Sequence, residues 1–325
     1  MHTISAMLRV FEEGEIRSAI APADAVVAIR EAFRSDGLGR TTVPEVINLA
    51  IPGTRGEFHI KTAHVAGIPH VAVKVASGFY DNPALGLPTG TGMMALFDAA
   101  TGMPVALLLD NGYLTDVRTG AAGAVAAESL APGAVHTVGV IGSGVQARHQ
   151  VMCLREVRQF GRLMAWSIDP DGLRAYAREM RERLGIDVVA GTSAEEVSRA
   201  ADVLITATPS REPIVRAEWL RPGMHITALG SDGPGKQELD PRVLARADLV
   251  VVDRLSQCRR LGELQHALAA GLLREDQVHG QLGEVVAGRK PGRTSAAQIT
   301  LADLTGVGFQ DTAIASLAYA KLTAA

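Results

Sequence analysis

The sequence predicts an α/β fold: a Rossmann-type doubly wound parallel sheet plus an α+β domain completed by the C-terminal helix. Three observations predict it. The run Val138-Gly139-Val140-Ile141-Gly142-Ser143-Gly144-Val145-Gln146-Ala147 sets a β-branched strand, a glycine turn and a helix start in succession. That is the Gly-x-Gly-x-x-Ala form of the dinucleotide fingerprint. Strand–helix alternation then continues for roughly 100 residues, the context in which such a match has meaning. Before it, from Val43 to Leu109, apolar runs divided by turns read as a separate layer of strands. The expected division is 1–117 with 303–325 for the α+β domain and 118–302 for the dinucleotide-binding domain.

Residues 8–40 read as helical, with a stripe of Ala25, Val26, Ile29 and Phe33 closed by Gly37-Leu38-Gly39. Strands are expected at 46–51, 58–63, 71–75, 93–97 and 104–109, separated by turns such as Asp98-Ala99-Ala100-Thr101-Gly102. The layer is expected to be mixed and mostly antiparallel. Residues 114–130 form a helix rich in Ala and Gly, whose small residues permit close approach to a neighbouring layer. The parallel strands follow at 138–141, 163–168, 188–189, 203–207, 225–229 and 249–252. Thr192-Ser193-Ala194-Glu195 reads as a capping box that starts one of the helices between them. The last helix, 311–322, has no sheet left to extend and is expected to return to the N-terminal layer.

Composition excludes several classes. With 47% hydrophobic and 21% charged residues and a formal charge of -3, neither sign dominates, so neither nucleic acid nor a membrane is an expected partner. Met1-His2-Thr3-Ile4-Ser5-Ala6 lacks a charged region followed by an apolar one, and no apolar run reaches spanning length. Cys153 and Cys258 stand far apart, and no His-x-x-x-His pair occurs, so no disulfide framework and no metal are expected. The reading is a cytoplasmic protein.

Parallel sheets bind ligands beyond the carboxyl ends of their strands. The glycine turn there offers Gly142, Ser143, Gly144, Val145, Gln146 and Ala147 to a pyrophosphate. Thr206 and Thr208 belong to a second loop at that edge, and Leu229-Gly230-Ser231-Asp232-Gly233-Pro234-Gly235 to a third. Asp232 reads either as a proton acceptor beside the reactive end of a nicotinamide or as an ordinary turn aspartate. At the end of the second parallel strand, NAD enzymes place a carboxylate for the ribose diol. Ser167 stands at that position, Asp169 two residues on, with Arg148 and Arg174 nearby, which favours NADP(H) slightly over NAD(H). Lys74 interrupts Val71–Val75 on the face opposite to the valines. It either faces water or holds a substrate carboxylate, and Lys61 is a second such case. Arg118, in the first turn of the small-residue helix, reads as a surface ion pair or as a further carboxylate ligand. Thr89 follows Leu87-Pro88 in a turn.

These stretches resemble the ornithine cyclodeaminase/mu-crystallin family. The matching segments are Lys74 with Gly78, Leu87-Pro88-Thr89, residues 113–122, 142–147 and 222–225, the run from Gly230 to Leu239, and Gly308-Phe309-Gln310-Asp311. Phe79-Tyr80-Asp81-Asn82-Pro83 and Leu109-Asp110-Asn111-Gly112-Tyr113 look most like the ectoine-utilisation cyclodeaminase-like proteins. The resemblance implies an N-terminal substrate and dimerisation domain, a homodimer, and NAD(P)(H) as cofactor. It implies that Lys74 and Arg118 hold an amino-acid carboxylate, that Thr89 lines that site, and that Asp232 is the acid/base. Thr305 and Gly306 fall where the family closes its pocket. Where the family often has an arginine after a proline, Pro44 is followed by Glu45, and Lys61 or Arg55 is left to compensate. The implied activity is hydride exchange at Cα of a small amino acid, cyclodeaminase-type and redox-neutral overall. An imino-acid reductase, an amino-acid dehydrogenase or a non-catalytic NAD(P)H-dependent ligand-binding protein of the mu-crystallin kind are its alternatives.

Overall fold

The computed structural model describes residues 8–324, so the leader reading of Met1 to Ala6 lies outside the described residues. The chain divides into two units: one runs up to Arg118 and resumes at Val307, and the other is Thr119–Gly306. The seams therefore fall at 118/119 and 306/307 rather than at 117/118 and 302/303.

In the first unit the sequence is strand-first. β1 (Arg9–Glu12) precedes α1 (Glu13–Ala19) and α2 (Pro22–Gly37), where one helical stretch over 8–40 was expected. The break has a local cause. Pro22 begins a helix well and continues one badly, while Asp24 accepts from the Ala21 N–H and restarts the ladder. β1 itself has a distant cause, since it pairs in parallel with Ala106 to Leu109.

β2 (Thr41–Thr42), β3 (Ile47–Ile51), β4 (Gly56–Val65), β5 (His70–Phe79), β6 (Gly90–Asp98) and β7 (Pro104–Leu109) complete this sheet. Its order is β1-β7-β6-β5-β4-β2, with β3 also on β4, and every pairing except β1 with β7 is antiparallel. The pleat separates two faces. Ala63, Ala72, Lys74, Met94, Leu96, Ala106 and Leu108 are buried, and the helix at residues 308–324 packs on β4 and β5. On the other face Val71, Val73, Val75, Met93, Phe97 and Leu107 are only half-buried, and Ile47 and Leu49 are exposed.

α3 (Tyr113–Leu130) opens on Asp110, whose carboxylate accepts from the Leu114 N–H at 2.7 Å. Its glycines are sites of close approach: a Cβ on Gly120 would meet the His149 carbonyl oxygen at 2.5 Å.

The second unit alternates as expected. β8 (Thr137–Ile141), α4 (Val145–Val157), β9 (Arg162–Trp166), α5 (Pro170–Leu184), β10 (Asp187–Ala190), α6 (Ala194–Ala200), β11 (Val203–Thr206) and β12 (His225–Ala228) come first. α7 (Pro241–Arg246), β13 (Leu249–Val252), α8 (Leu255–Leu261), α9 (Leu264–Ala269), β14 (Gly280–Gln281), α10 (Leu282–Val286) and β15 (Thr300–Asp303) follow. All pairings are parallel, in the order β10-β9-β8-β11-β12-β15-β13-β14. Strand order reverses between β8 and β11, the position at which such sheets open a ligand crevice. β15, whose place in the sheet only its neighbours reveal, inserts between β12 and β13 and carries the seam beyond residue 303. α6 is capped one residue later than expected: Ser193 accepts from the Glu196 N–H, and Thr192 donates to the Glu196 carboxylate. α11 (Gly308–Ala324) closes the first unit.

Candidate functional site

At the end of β8 the chain turns at Gly142 with φ +121°, a conformation that excludes a side chain. A Cβ there would also meet the Ala207 carbonyl oxygen at 2.6 Å, so the turn is pressed against the loop after β11. Gly144 caps α4, and a Cβ on it would have nothing within 4 Å. That open cradle in front of a helix N-terminus suits a pyrophosphate: the N–H groups of a first helical turn point out along the axis, and the dipole favours negative charge. Ala147 is fully buried and its carbonyl accepts from the Tyr176 hydroxyl, which packs helix to helix behind the turn.

Arg148 differs from expectation. It donates to the Ser143 and Gly144 carbonyls at 2.6 and 3.0 Å and to Glu179 at 2.7 Å, and lies over the Tyr176 ring. It braces the glycine turn rather than waiting for a phosphate. Arg174 pairs with Asp171 on the surface. Ser167 accepts from the Asp169 N–H, and Asp169 caps α5 by accepting from the Asp171 N–H at 3.1 Å.

Beyond β11 and β12 the two loops are tied to one carboxylate. Glu238, with no solvent exposure, accepts from the Thr206 hydroxyl at 2.7 Å, the Thr208 N–H at 2.6 Å and the Gly230 N–H at 2.8 Å. Asp232, on the same loop as Gly230, accepts from the Lys236 ammonium at 2.8 Å and remains 43% exposed on its side chain. Its exposure leaves it accessible to a second proton donor. Thr305 and Gly306 are held from within this unit: their N–H groups donate to Asp253 at 2.8 and 2.7 Å, and Gln257 donates to the Thr305 hydroxyl and the Gly306 carbonyl.

The first unit gathers the cations. Lys74 and Arg118 are 2% and 4% exposed, so neither faces water. Arg118 donates to Asp311 at 2.9 Å and to Gln310 at 3.0 Å, and the Lys74 ammonium lies 3.6 Å from the other Asp311 oxygen. Lys61 is also buried, and the register sets it directly opposite Lys74 on the same face. Arg55, by contrast, is 71% exposed and pairs with Asp81. Thr89 stands apart. It is exposed at the open end of the β5–β6 ladder, where its carbonyl accepts from the Phe79 N–H, while Lys74 sits mid-ladder opposite Met94.

Sequence reasoning left Gln310, Asp311 and Glu238 without a role. A signal existed for each, since all three are polar residues inside apolar or glycine-rich stretches at positions already matched to the family. What no sequence pattern gives is the partner.

The family model for the ornithine cyclodeaminase/mu-crystallin family matches residues 6–325. The chain belongs to that family. Relatives in it bear the names alanine dehydrogenase, Delta(1)-pyrroline-2-carboxylate reductase and lysine cyclodeaminase. A putative dehydrogenase of Rhizobium meliloti is 47% identical over 98% of this chain and 97% of its own. Among solved structures, an archaeal alanine dehydrogenase dimer with bound NAD superposes with a TM-score of 0.91 at 38% identity, covering 98% of this chain and 96% of that one. The Delta(1)-pyrroline-2-carboxylate reductase of Thermococcus litoralis, in complex with NADH and L-proline, does so at 0.94 and 31%, covering 98% of both chains.

Proposed function

We propose that this protein uses NAD(P)(H) to exchange hydride at Cα of a small amino acid, with a cyclodeaminase-type, redox-neutral outcome. The observation that carries the reading is the buried cation pair Lys74 and Arg118 on one carboxylate, Asp311. Cations kept out of water in a group of this kind suit a carboxylate ligand. Lys61, opposite Lys74, is the better candidate than the exposed Arg55 to stand in for the arginine missing at Glu45.

A bound nicotinamide supplies the hydride acceptor and donor, chemistry that no side chain here offers. The chain supplies everything else. Gly142 to Gln146 take the pyrophosphate, with Thr208 on the neighbouring loop, while Ala147 and Thr206, both without exposure, back these positions from behind. Lys74 and Arg118 fix the substrate carboxylate, so that Cα is presented in one orientation. Asp232 accepts the proton of the substrate amine and returns it. Thr89, Thr305 and Gly306 are assigned to the substrate pocket by family position alone. At the ribose end, Ser167 leaves no strand-end carboxylate to repel a 2′-phosphate, which favours NADP(H).

A second reading, amino-acid dehydrogenase or imino-acid reductase, is favoured by the relatives with those names. One screen separates the two. Diamino acids, including those derived from ectoine breakdown, and cyclic imines are offered with both cofactors, while ammonia and absorbance at 340 nm are recorded together. Ammonia without net absorbance change supports the cyclodeaminase, and a net change with turnover supports the dehydrogenase or reductase. Dinucleotide binding without turnover of any compound refutes both and leaves a ligand-binding protein.

We also propose a homodimer, formed through the half-exposed sheet face of Val71, Val73, Val75, Ile47 and Leu49. A half-exposed apolar sheet face suits association with a second copy, and the archaeal relative is a dimer. A cytoplasmic location suits the two buried free thiols, Cys153 and Cys258.

A further inference from the structure

The loops after β11 and β12 meet at a single side chain. Glu238 gives both oxygens to three donors: Oε2 to the Thr206 hydroxyl and the Gly230 N–H, Oε1 to the Thr208 N–H. Gly230 is a glycine for the same reason, because a Cβ there would lie 2.1 Å from the Thr208 carbonyl oxygen and 2.5 Å from the Glu238 carboxyl. The backbone of Glu238 is fixed in turn. Its N–H donates to Glu263 at 2.7 Å, the Glu263 N–H donates to Asp303 at 3.1 Å, and the Glu238 carbonyl accepts from Ile214 and Val215. A line of buried carboxylates thus binds the carboxyl edge of the sheet from β11 across to β15.

We propose that Glu238 is a positioning residue that holds the Thr206–Thr208 loop and the Gly230–Asp232 loop in the spacing needed for dinucleotide binding and for Asp232 to reach its proton. The inference rests on the roles assigned to those loops above. Its physical content is that one fully buried carboxylate satisfies the Thr206 hydroxyl and the N–H groups of Thr208 and Gly230, donors that belong to two loops. An amide cannot replace it. The Thr206 hydroxyl can reverse and accept, but with either orientation of the amide one backbone N–H, of Gly230 or of Thr208, faces another N–H. One loop must then move to find water.

The test uses Glu238→Gln in the full chain, with NADH and NADPH binding read by fluorescence titration, thermal unfolding, and kcat and KM for a substrate found in the screen. Losing one buried hydrogen bond to a backbone donor is expected to weaken dinucleotide binding by about 10-fold or more, with a further fall in kcat at saturation. Thr206→Val removes one donor and leaves both backbone bonds. It is expected to shift the same two readouts by roughly threefold. A folded Glu238→Gln that binds dinucleotide and turns over like wild type overturns the proposal, even if its melting temperature falls. Should Glu238→Gln fail to fold, Thr206→Val decides: unchanged dinucleotide affinity overturns the proposal, and a weakened one supports it. Failure of the Asp232 assignment looks different, with Asp232→Asn keeping full turnover while Glu238→Gln still loses dinucleotide affinity.

Discussion

Arg118→Met should destabilise the protein far more than a surface ion-pair change would, and the size follows from burial. Arg118 is 4% exposed and Asp311 has no exposure. Removing the guanidinium deletes the 2.9 Å bond to Asp311 and the 3.0 Å bond to Gln310. Asp311 is then left in the interior with the Lys74 ammonium at 3.6 Å. Breaking such a buried pair from one side costs about 3–5 kcal/mol, because the carboxylate left behind loses its hydrogen-bonded cation and keeps Lys74 beyond hydrogen-bond distance. Asp311→Asn leaves two buried cations facing a neutral amide and should cost a similar amount. The double variant removes both partners and should cost at least about 2 kcal/mol less than the sum, the usual mark of groups in direct contact. Scanning calorimetry reads this directly. At about 2–4 °C per kcal/mol for chains of this class, each single variant should melt roughly 6–20 °C below wild type. Two single variants within about 2 °C of wild type, or a double variant with strictly additive loss, would refute a buried charge cluster at this place.

Four further outcomes are expected. Asp232→Asn should lower kcat by about 100-fold or more with little change in dinucleotide affinity, the size typical of a lost acid/base group; steady-state kinetics beside a fluorescence titration check it. Ser167→Asp should shift the ratio of kcat/KM values from NADPH towards NADH by about 10-fold, since a carboxylate then faces the 2′-phosphate. His225 is fully buried between Thr300 and Thr227, and burial pushes its pKa down to about 3. The unfolded chain therefore binds a proton that the folded one refuses between pH 6.5 and about 3, so this contribution is lost as pH falls, by about 1.4 kcal/mol per unit. Glu238 and Asp303, each raised to about 7 by burial, act with the opposite sign, so the measurement is the difference in stability slope between wild type and His225→Gln. A variant with the wild-type slope contradicts the assignment. Finally, Leu49→Asp, at a residue 52% exposed, should convert a dimer to monomers in sedimentation equilibrium while leaving the melting of the monomer nearly unchanged.

The sequence by itself determined the parts governed by neighbours in the chain. The Gly142 turn, the strand at Val138 to Ile141, the helix that follows and the alternation behind them are local consequences of β-branching, glycine and capping. So is the two-faced pattern of Val71 to Val75 with Lys74 turned the other way. Tertiary structure alone decided the partners. β1 is a strand because β7 lies beside it, 97 residues along the chain in every register pair, and β15 belongs to the sheet because β12 and β13 leave a place for it. Arg118 is a buried ligand of Asp311, Arg148 a brace for the glycine turn, and Glu238 the knot of two loops. Each is a charged side chain whose meaning depends on which distant backbone or carboxylate it meets in a medium that will not hydrate it. Periodicity cannot carry that information, because it records the direction in which a side chain points and not what lies there.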